Sequence, residues 1–284
     1  MPVDHYENFP VASLLCPPLL RPAVEAIYVF ARTADDIADE GDAKAAQRLA
    51  DLADYRRDLE AVAAGATPSP RWPQVFVPLA AAIERHRLPI GLLDDLLDAF
   101  TQDVTTVRYA DRATLLDYCR RSANPVGRLL LHLYGIADAE ALLRSDAICS
   151  ALQLANFWQD LGRDARQGRL YVPEADCRRH GVDPESLLAA RESDATRALV
   201  LELVDWARDL MRFGAPLVHD VPGRAGWELR LVVQGGLRVL ERIDRLRGAT
   251  LNDRPKLGWA DAPPIAWRAL RMGSADTARA RRIA

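Results

Sequence analysis

Lysine is almost missing from this chain. Of 284 residues only Lys44 and Lys256 carry an ammonium, so nearly every positive charge is a guanidinium. Arginine's planar fork suits paired hydrogen bonds to phosphate or carboxylate, although a compositional bias of the source genome accounts for the same preference. Neither sign of charge is in surplus: 37 basic and 40 acidic residues leave a net charge of −3, which gives no electrostatic case for nucleic acid as a partner. Cysteine is scarce, and Cys16, Cys119, Cys149 and Cys177 are widely dispersed. No CxxC or Cys/His spacing suggests zinc, and reduced thiols in a cytoplasmic protein are the expectation. No apolar run approaches the roughly 20 residues that span a bilayer. The first residues, Asp4 and Glu7 among them, lack a signal-peptide core. Any membrane contact is therefore expected to be peripheral, at the inner membrane. Strand alternation, internal repeats and a GxGxxG turn are also missing, which removes the usual signals for a sheet or a dinucleotide site.

The residues present favour helix, with alanine, leucine and arginine dominant. Helices are expected over 19–40 and 43–64, with Gly41 and Gly65 closing them. Thr67-Pro68-Ser69-Pro70-Arg71-Trp72-Pro73 is loop chemistry. Further helices are expected over 74–87, 90–103, 112–122, 139–163, 184–213 and 226–246, with an apolar stretch over 126–134. The expected fold is all-α: one helical domain of eight or more helices over residues 1–272. Residues 273–284 are small, polar and basic and read as a flexible tail.

Two acidic stretches share one pattern. Arg32-Thr33-Ala34-Asp35-Asp36-Ile37-Ala38-Asp39 and Asn156-Phe157-Trp158-Gln159-Asp160-Leu161-Gly162-Arg163-Asp164 each set aspartates four residues apart in apolar, helix-favouring sequence. On a helix such residues share a face about 5–6 Å apart, and like charges there repel by roughly 0.2–0.5 kcal/mol even in water. Apolar surroundings raise that cost. A cation between the pairs relieves it. Mg²⁺ is the natural candidate, a hard ion that takes carboxylate oxygens and bridges to substrate phosphates, with Asp35, Asp39, Asp160 and Asp164 as its ligands.

Gln153, Asn156, Asp160 and Asp164 fall on one helical stripe, and Tyr28, Arg32, Asp35 and Asp39 on another. Facing each other, the stripes make a pocket with carboxylates at its mouth and apolar walls below. That suits a diphosphate head on a hydrocarbon tail. Arg32, Arg163 or Arg169 would add bidentate contacts to the diphosphate, and metal and arginine together would stabilise the departing charge. The faces of Tyr28, Phe157 and Trp158 would stabilise the allylic cation left behind. Plainer readings stay open. Asp35, Asp36 and Asp39 can be a solvated helix end leading into Glu40-Gly41-Asp42. Gln153 and Asn156 can be ordinary helix–helix hydrogen bonding, Arg32 the partner of an aspartate on its own helix, and the three aromatic residues core. Both motifs together are harder to explain so than either alone.

These residues resemble the squalene/phytoene synthase family. The pattern Arg32-x-x-Asp35-Asp36-x-x-Asp39, followed by Gln153-x-x-Asn156-x-x-x-Asp160-x-x-x-Asp164, carries the resemblance. Tyr118-Cys119 with Ala123-Asn124-Pro125-Val126-Gly127, and Gly168-Arg169-Leu170-Tyr171-Val172-Pro173, are similar to two further family segments. His5-Tyr6-Glu7-Asn8-Phe9-Pro10-Val11-Ala12-Ser13 stands where the family has its N-terminal substrate segment. The resemblance covers roughly residues 5–258. It implies an all-helical isoprenoid-synthase (class I terpenoid synthase) bundle around a central cavity, Mg²⁺, and chemistry on prenyl diphosphates. It also implies catalytic roles for Tyr28, Arg32, Tyr118 and Asn156, and substrate contacts from Asn8, Phe9, Arg32, Gln153, Asn156, Arg163, Arg169 and Tyr171. Asn8-Phe9-Pro10-Val11-Ala12-Ser13, Ser122-Ala123-Asn124-Pro125-Val126-Gly127 and Arg254-Pro255-Lys256-Leu257 resemble most the bacterial hopanoid-pathway branch that makes hydroxysqualene. That branch ionises presqualene diphosphate and captures the rearranged cation with water, and it implies a companion presqualene diphosphate synthase and a flavin reductase. Gly236 stands where many members carry tyrosine, and the resemblance implies there a larger cavity or admitted water. The alternatives are a prenyl transferase making presqualene diphosphate or phytoene from two prenyl diphosphates such as farnesyl diphosphate, and a non-catalytic assembly factor, which would be expected to have eroded acidic motifs.

Overall fold

The computed structural model describes residues 16–272. Twelve α-helices follow one another in the described chain: α1 (Arg21–Asp39), α2 (Ala45–Ala63), α3 (Pro73–His86), α4 (Ile90–Asp103), α5 (Arg112–Ser122), α6 (Asn124–Leu133), α7 (Ala139–Arg166), α8 (Glu174–His180), α9 (Pro184–Leu188), α10 (Asp194–Gly214), α11 (Gly223–Arg245) and α12 (Ala262–Arg271). Among the described residues the only β-type pairing is an isolated bridge between Arg108 and Leu170. None of the described helices is long and apolar enough to cross a membrane.

Helix ends follow local chemistry. Asp111 and Thr114 form a reciprocal capping box at α5, and the Asp138 carboxylate accepts from Ala141 N at the start of α7. The end of α7 is a Schellman motif. Gly168, at φ +78°, lets its own N–H reach Ala165 O and the Arg169 N–H reach Asp164 O. The chain therefore reverses just past the second acidic stretch. The expected helix over 184–213 is two helices. Ala190 takes a left-handed φ of 52°, and Ser193 Oγ caps α10 by accepting from Thr196 N. Helices α8 and α12 lie where no helix was expected.

Hydrophobic burial gathers into three clusters among the described residues, and two of them form blocks that flank the acidic stretches. In the first, α1 offers Ala23, Ala26, Ile27, Phe30, Ala34 and Ala38 to α2, α3 and α4. An aromatic knot of Phe30, Tyr55, Trp72 and Phe76 locks that block, and Tyr55 donates its hydroxyl proton to Phe30 O at 3.0 Å. In the second, α7 packs chiefly on α10, α6 and α11, over Leu154, Trp158, Leu199, Leu203, Leu240 and their neighbours. The two acidic stretches lie at the seam between the blocks.

One close approach shapes that seam. A Cβ on Gly162 would stand 1.9 Å from the carbonyl oxygen of Leu251, so only glycine lets the segment after α11 lie this tightly on α7. Gln159 Nε2 then donates to Pro255 O at 2.6 Å, which returns Arg254 to the acidic face of α7.

Candidate active site

Each expected stripe exists as a half-exposed line on an otherwise buried helix face. On α7, Gln153, Asn156, Asp160 and Asp164 are half-buried, while Leu154, Ala155, Phe157, Trp158 and Leu161 beside them are buried. On α1, Tyr28, Arg32 and Asp35 are half-buried and Asp39 is exposed. The two lines meet at their C-terminal ends. Arg169, aimed by the turn at Gly168, forms an ion pair with Asp39 across the seam, and the Asp164 carboxyl feels the charge of Asp39.

Arginines hold most of these carboxylates. Arg32 reaches Asp35 at 2.9 Å, Asp36 at 2.7 Å and Glu40 at 2.7 Å, so the plainer alternative, pairing along its own helix, is what the structure shows for it. Arg254 holds Asp160, with Nη2 3.1 Å from Oδ2. Arg163 is exposed beside the stripe and forms no ion pair among the described residues. Among the described residues no three acidic, histidine or cysteine side chains are gathered into a ready cation cage. The donor set nevertheless suits a hard divalent ion in kind. Burial pushes the Asp164 carboxyl up to about 7, with repulsion from Asp160 adding to it against the pull of Arg169 and Arg163. Burial likewise pushes Asp35 up to about 6 despite Arg32, helped by Asp39 and Asp36. The rise comes first from burial, and repulsion among the neighbouring carboxylates adds to it.

Two aromatic expectations need correction. Phe157 and Trp158 are not free cation-facing walls: they are 6 % and 0 % exposed. The ring of Tyr171 stacks on Phe157 with centroids 3.7 Å apart and planes within 6°, and Trp158 turns toward Trp206 in the core. The space beside Gly236 is also filled, because a Cβ there would meet Met211 Cε at 2.7 Å and Leu152 Cδ2 at 2.8 Å. Tyr118 is buried next to Tyr109, Phe157 and Tyr171. Asn8 and Phe9 lie outside the described residues.

Three site residues carried no local signal of their role. Asp103, the last residue of α4, accepts the Tyr118 hydroxyl proton at 2.8 Å through Oδ2, while its buried Oδ1 has no hydrogen-bond partner among the described residues. Arg48 donates to Ile37 O, Gly41 O and Ala43 O and so fixes the C-terminal end of α1. Arg254 is the third. Asp39, Arg48, Asp103 and Arg169, with Ala38, Ala45 and Val104, line an open pocket of about 200 Å³. Its walls are largely polar, and its size suits a diphosphate, not a whole prenyl chain.

Burial pushes Asp103 up to about 7, against the Tyr118 hydrogen bond and Arg169 and with help from Asp35 and Asp39. These carboxyls therefore hold protons in the native state that the unfolded chain releases near pH 4. Stability from this source is full below about pH 4 and is lost as pH rises through about 7. The melting temperature of metal-free protein is expected to fall between pH 5 and pH 8, and less steeply in Asp103→Asn and Asp164→Asn. A flat profile, or equal slopes in all three proteins, contradicts this reading of the site.

Acidic stripes meet at the seam of this all-helical bundle, and the proteins that share its sequence pattern and its isoprenoid-synthase fold are prenyl-diphosphate-processing synthases. The squalene/phytoene synthase family model matches residues 3–261, and the chain belongs to that family. It is 36% identical to the hydroxysqualene synthase of Rhodopseudomonas palustris over 84% of this chain and 79% of that one. It is 42% identical to the hydroxysqualene synthase of Zymomonas mobilis over 59% of this chain and 54% of that protein, so this match spans about half of the relative's length. A presqualene diphosphate synthase, also of Rhodopseudomonas palustris, is 32% identical over 73% of this chain and 72% of its own. The crystal structure of squalene synthase HpnC from Alicyclobacillus acidocaldarius superposes with a TM-score of 0.78 at 38% identity, covering 86% of this chain and 90% of that one.

Proposed function

We propose that this protein is a Mg²⁺-dependent hydroxysqualene synthase. It would ionise presqualene diphosphate, let the cyclopropylcarbinyl cation rearrange, and capture it with water. The carbon–oxygen bond to diphosphate breaks with its electron pair leaving on the diphosphate, and the captured water loses a proton to give the alcohol. The observation that carries this choice is the ordering within one organism: the chain is closer to the hydroxysqualene synthase of Rhodopseudomonas palustris than to its presqualene diphosphate synthase.

Asp35, Asp39, Asp160 and Asp164 would hold Mg²⁺, which supplies Lewis-acid stabilisation of the departing diphosphate. Arg169, which lines the polar pocket, and Arg32, which pairs with Asp35, would take diphosphate oxygens once released from their carboxylates. Gln153 and Asn156 continue the polar line along α7 toward the rest of the substrate, with Tyr28 on the facing line of α1. Tyr118 and Tyr171 belong to the aromatic layer beneath Asp103 and would exclude bulk water from the cation. We place the enzyme in the cytoplasm, supplied by a presqualene diphosphate synthase and followed by a flavin reductase.

The test is product identity. Purified protein with Mg²⁺ is expected to give hydroxysqualene and inorganic diphosphate from presqualene diphosphate, and no squalene-type product from farnesyl diphosphate alone. Chelation of Mg²⁺ is expected to stop diphosphate release. A cyclopropyl product from farnesyl diphosphate alone would assign the protein instead to presqualene diphosphate synthesis, the second reading, which the relative of that name supports.

A further inference from the structure

At the end of the described chain, α12 presents apolar side chains on both sides. Inward it buries Ala269 and Met272. Outward, Trp259, Pro263, Trp267 and Leu270 are spaced four, four and three residues apart, which is one helical stripe through the short 3₁₀ turn Trp259–Asp261 and α12. All are exposed: Trp259 is 95 %, Trp267 56 % and Leu270 60 % accessible. Large side chains grouped in this way on a surface mark an interaction face.

The roll of the helix is imposed by the fold. Asp261 is fully buried at its start. Arg238 Nε donates to Asp261 Oδ1 at 2.7 Å, Arg242 Nη2 donates to both carboxylate oxygens at 2.8 and 2.9 Å, and Gly258 N donates to Oδ2 at 2.8 Å. Arg268 adds an ion pair to Glu241 of α11. Rotating α12 to hide the tryptophans would break these charge-assisted contacts, so the outward stripe is held in water.

Charge identifies what covers it. The whole chain carries −3, yet the described residues from 262 to 272 hold two arginines, Arg268 and Arg271, and no acidic residue. The Arg271 guanidinium lies 4.5 Å over the Trp267 ring, an apolar body with a cationic edge. A second copy docked face to face would set arginines against arginines, because a two-fold interface repeats the same patch on both sides. Tryptophan, leucine and arginine on one short amphipathic face match the headgroup level of a bilayer, where aromatic rings sit at the boundary and arginines meet anionic phosphates. We infer that the outward face of α12 docks this protein onto an anionic phospholipid surface. None of the four stripe residues has a role at the acidic seam, and the inference stands whichever reaction the seam performs.

The test is co-sedimentation of the full chain with vesicles. Wild type is expected to bind vesicles of equal parts phosphatidylglycerol and phosphatidylcholine at low salt, with a blue shift in tryptophan emission. It is expected to bind pure phosphatidylcholine weakly, and to lose binding as salt screens the arginines. Trp267→Glu/Leu270→Glu is expected to lower partitioning by at least about ten-fold, with an unchanged melting temperature and unchanged diphosphate release in detergent. Trp259→Glu, in the exposed turn before the helix, gives a second measure should the double variant be unstable. Absence of vesicle binding by wild type, or equal binding by the variants, overturns the inference. So does a wild-type dimer in light scattering that the double variant converts to monomer without any lipid binding, since the stripe is then a self-association face.

Discussion

Replacing Asp160 by asparagine is expected to lower diphosphate release from a prenyl diphosphate by roughly 10²–10³-fold, the scale of losing one preorganised electrostatic contact to a developing charge. The fold should survive. Asp160 is half-buried on the open line of α7, and the apolar faces that anchor this helix, Leu154, Trp158 and Leu161 among them, are untouched. The amide keeps the shape and an oxygen for Arg254 but removes the charge that repels Asp164. In the metal-free variant the Asp164 carboxyl should therefore titrate lower than in wild type. Steady-state release of diphosphate, with a thermal melt alongside, checks both halves. Normal turnover by the variant would contradict the cation-holding role given to this carboxylate. A lost fold would instead show that the Arg254 bridge, and not an ion, is its purpose.

Gly162→Ala is expected to be the most destabilising single-methyl change in the seam. The new Cβ would lie 1.9 Å from the Leu251 carbonyl oxygen and 2.7 Å from its carbon, both backbone atoms that cannot rotate aside. Overpacking typically costs about 1–3 kcal/mol. A clash with backbone belongs at the top of that range or beyond, a fall of roughly 6 °C or more in melting temperature. The segment carrying Arg254 must move, so the link to Asp160 should open and activity should fall with stability. Gly127→Ala is the control. Its Cβ would meet Ser145 Oγ at 2.4 Å and Cys149 Sγ at 2.6 Å, side-chain atoms that can turn away, and its effect should be smaller. Equal melting temperatures for wild type and Gly162→Ala would show that the segment over α7 gives way freely.

Helical periodicity made most of the architecture readable from sequence, because α1, α4, α5 and α7 each carry a clear apolar face. The break inside 184–213 was hidden by Ala190, which adopts a left-handed conformation with no glycine or proline to announce it. The Ser193-Asp194 pair that caps α10 was the available sign. Helix α12 was not expected from sequence, and Pro263-Pro264 sit in its first turn, where proline is tolerated. In the site, the stripes on α1 and α7 were legible because their spacing lies within single helices. Asp103 and Arg48 were not. Their relevance comes from α4 and from the start of α2 arriving beside Asp39, a tertiary event that leaves no mark on neighbouring residues. Arg254 was visible only as part of a recognised segment, and its partner 94 residues away was not. The opposite error befell Phe157 and Trp158, aromatic residues beside a polar stripe that the fold uses as core.

Helix α4 gives Leu93 and Leu97 to the core around α1 and Ala99 to the core around α7, so one rigid rod ties the two interiors and fixes how far apart the acidic stretches stand. The pairing of Arg169 with Asp39 is then laid over a spacing that apolar packing has already set.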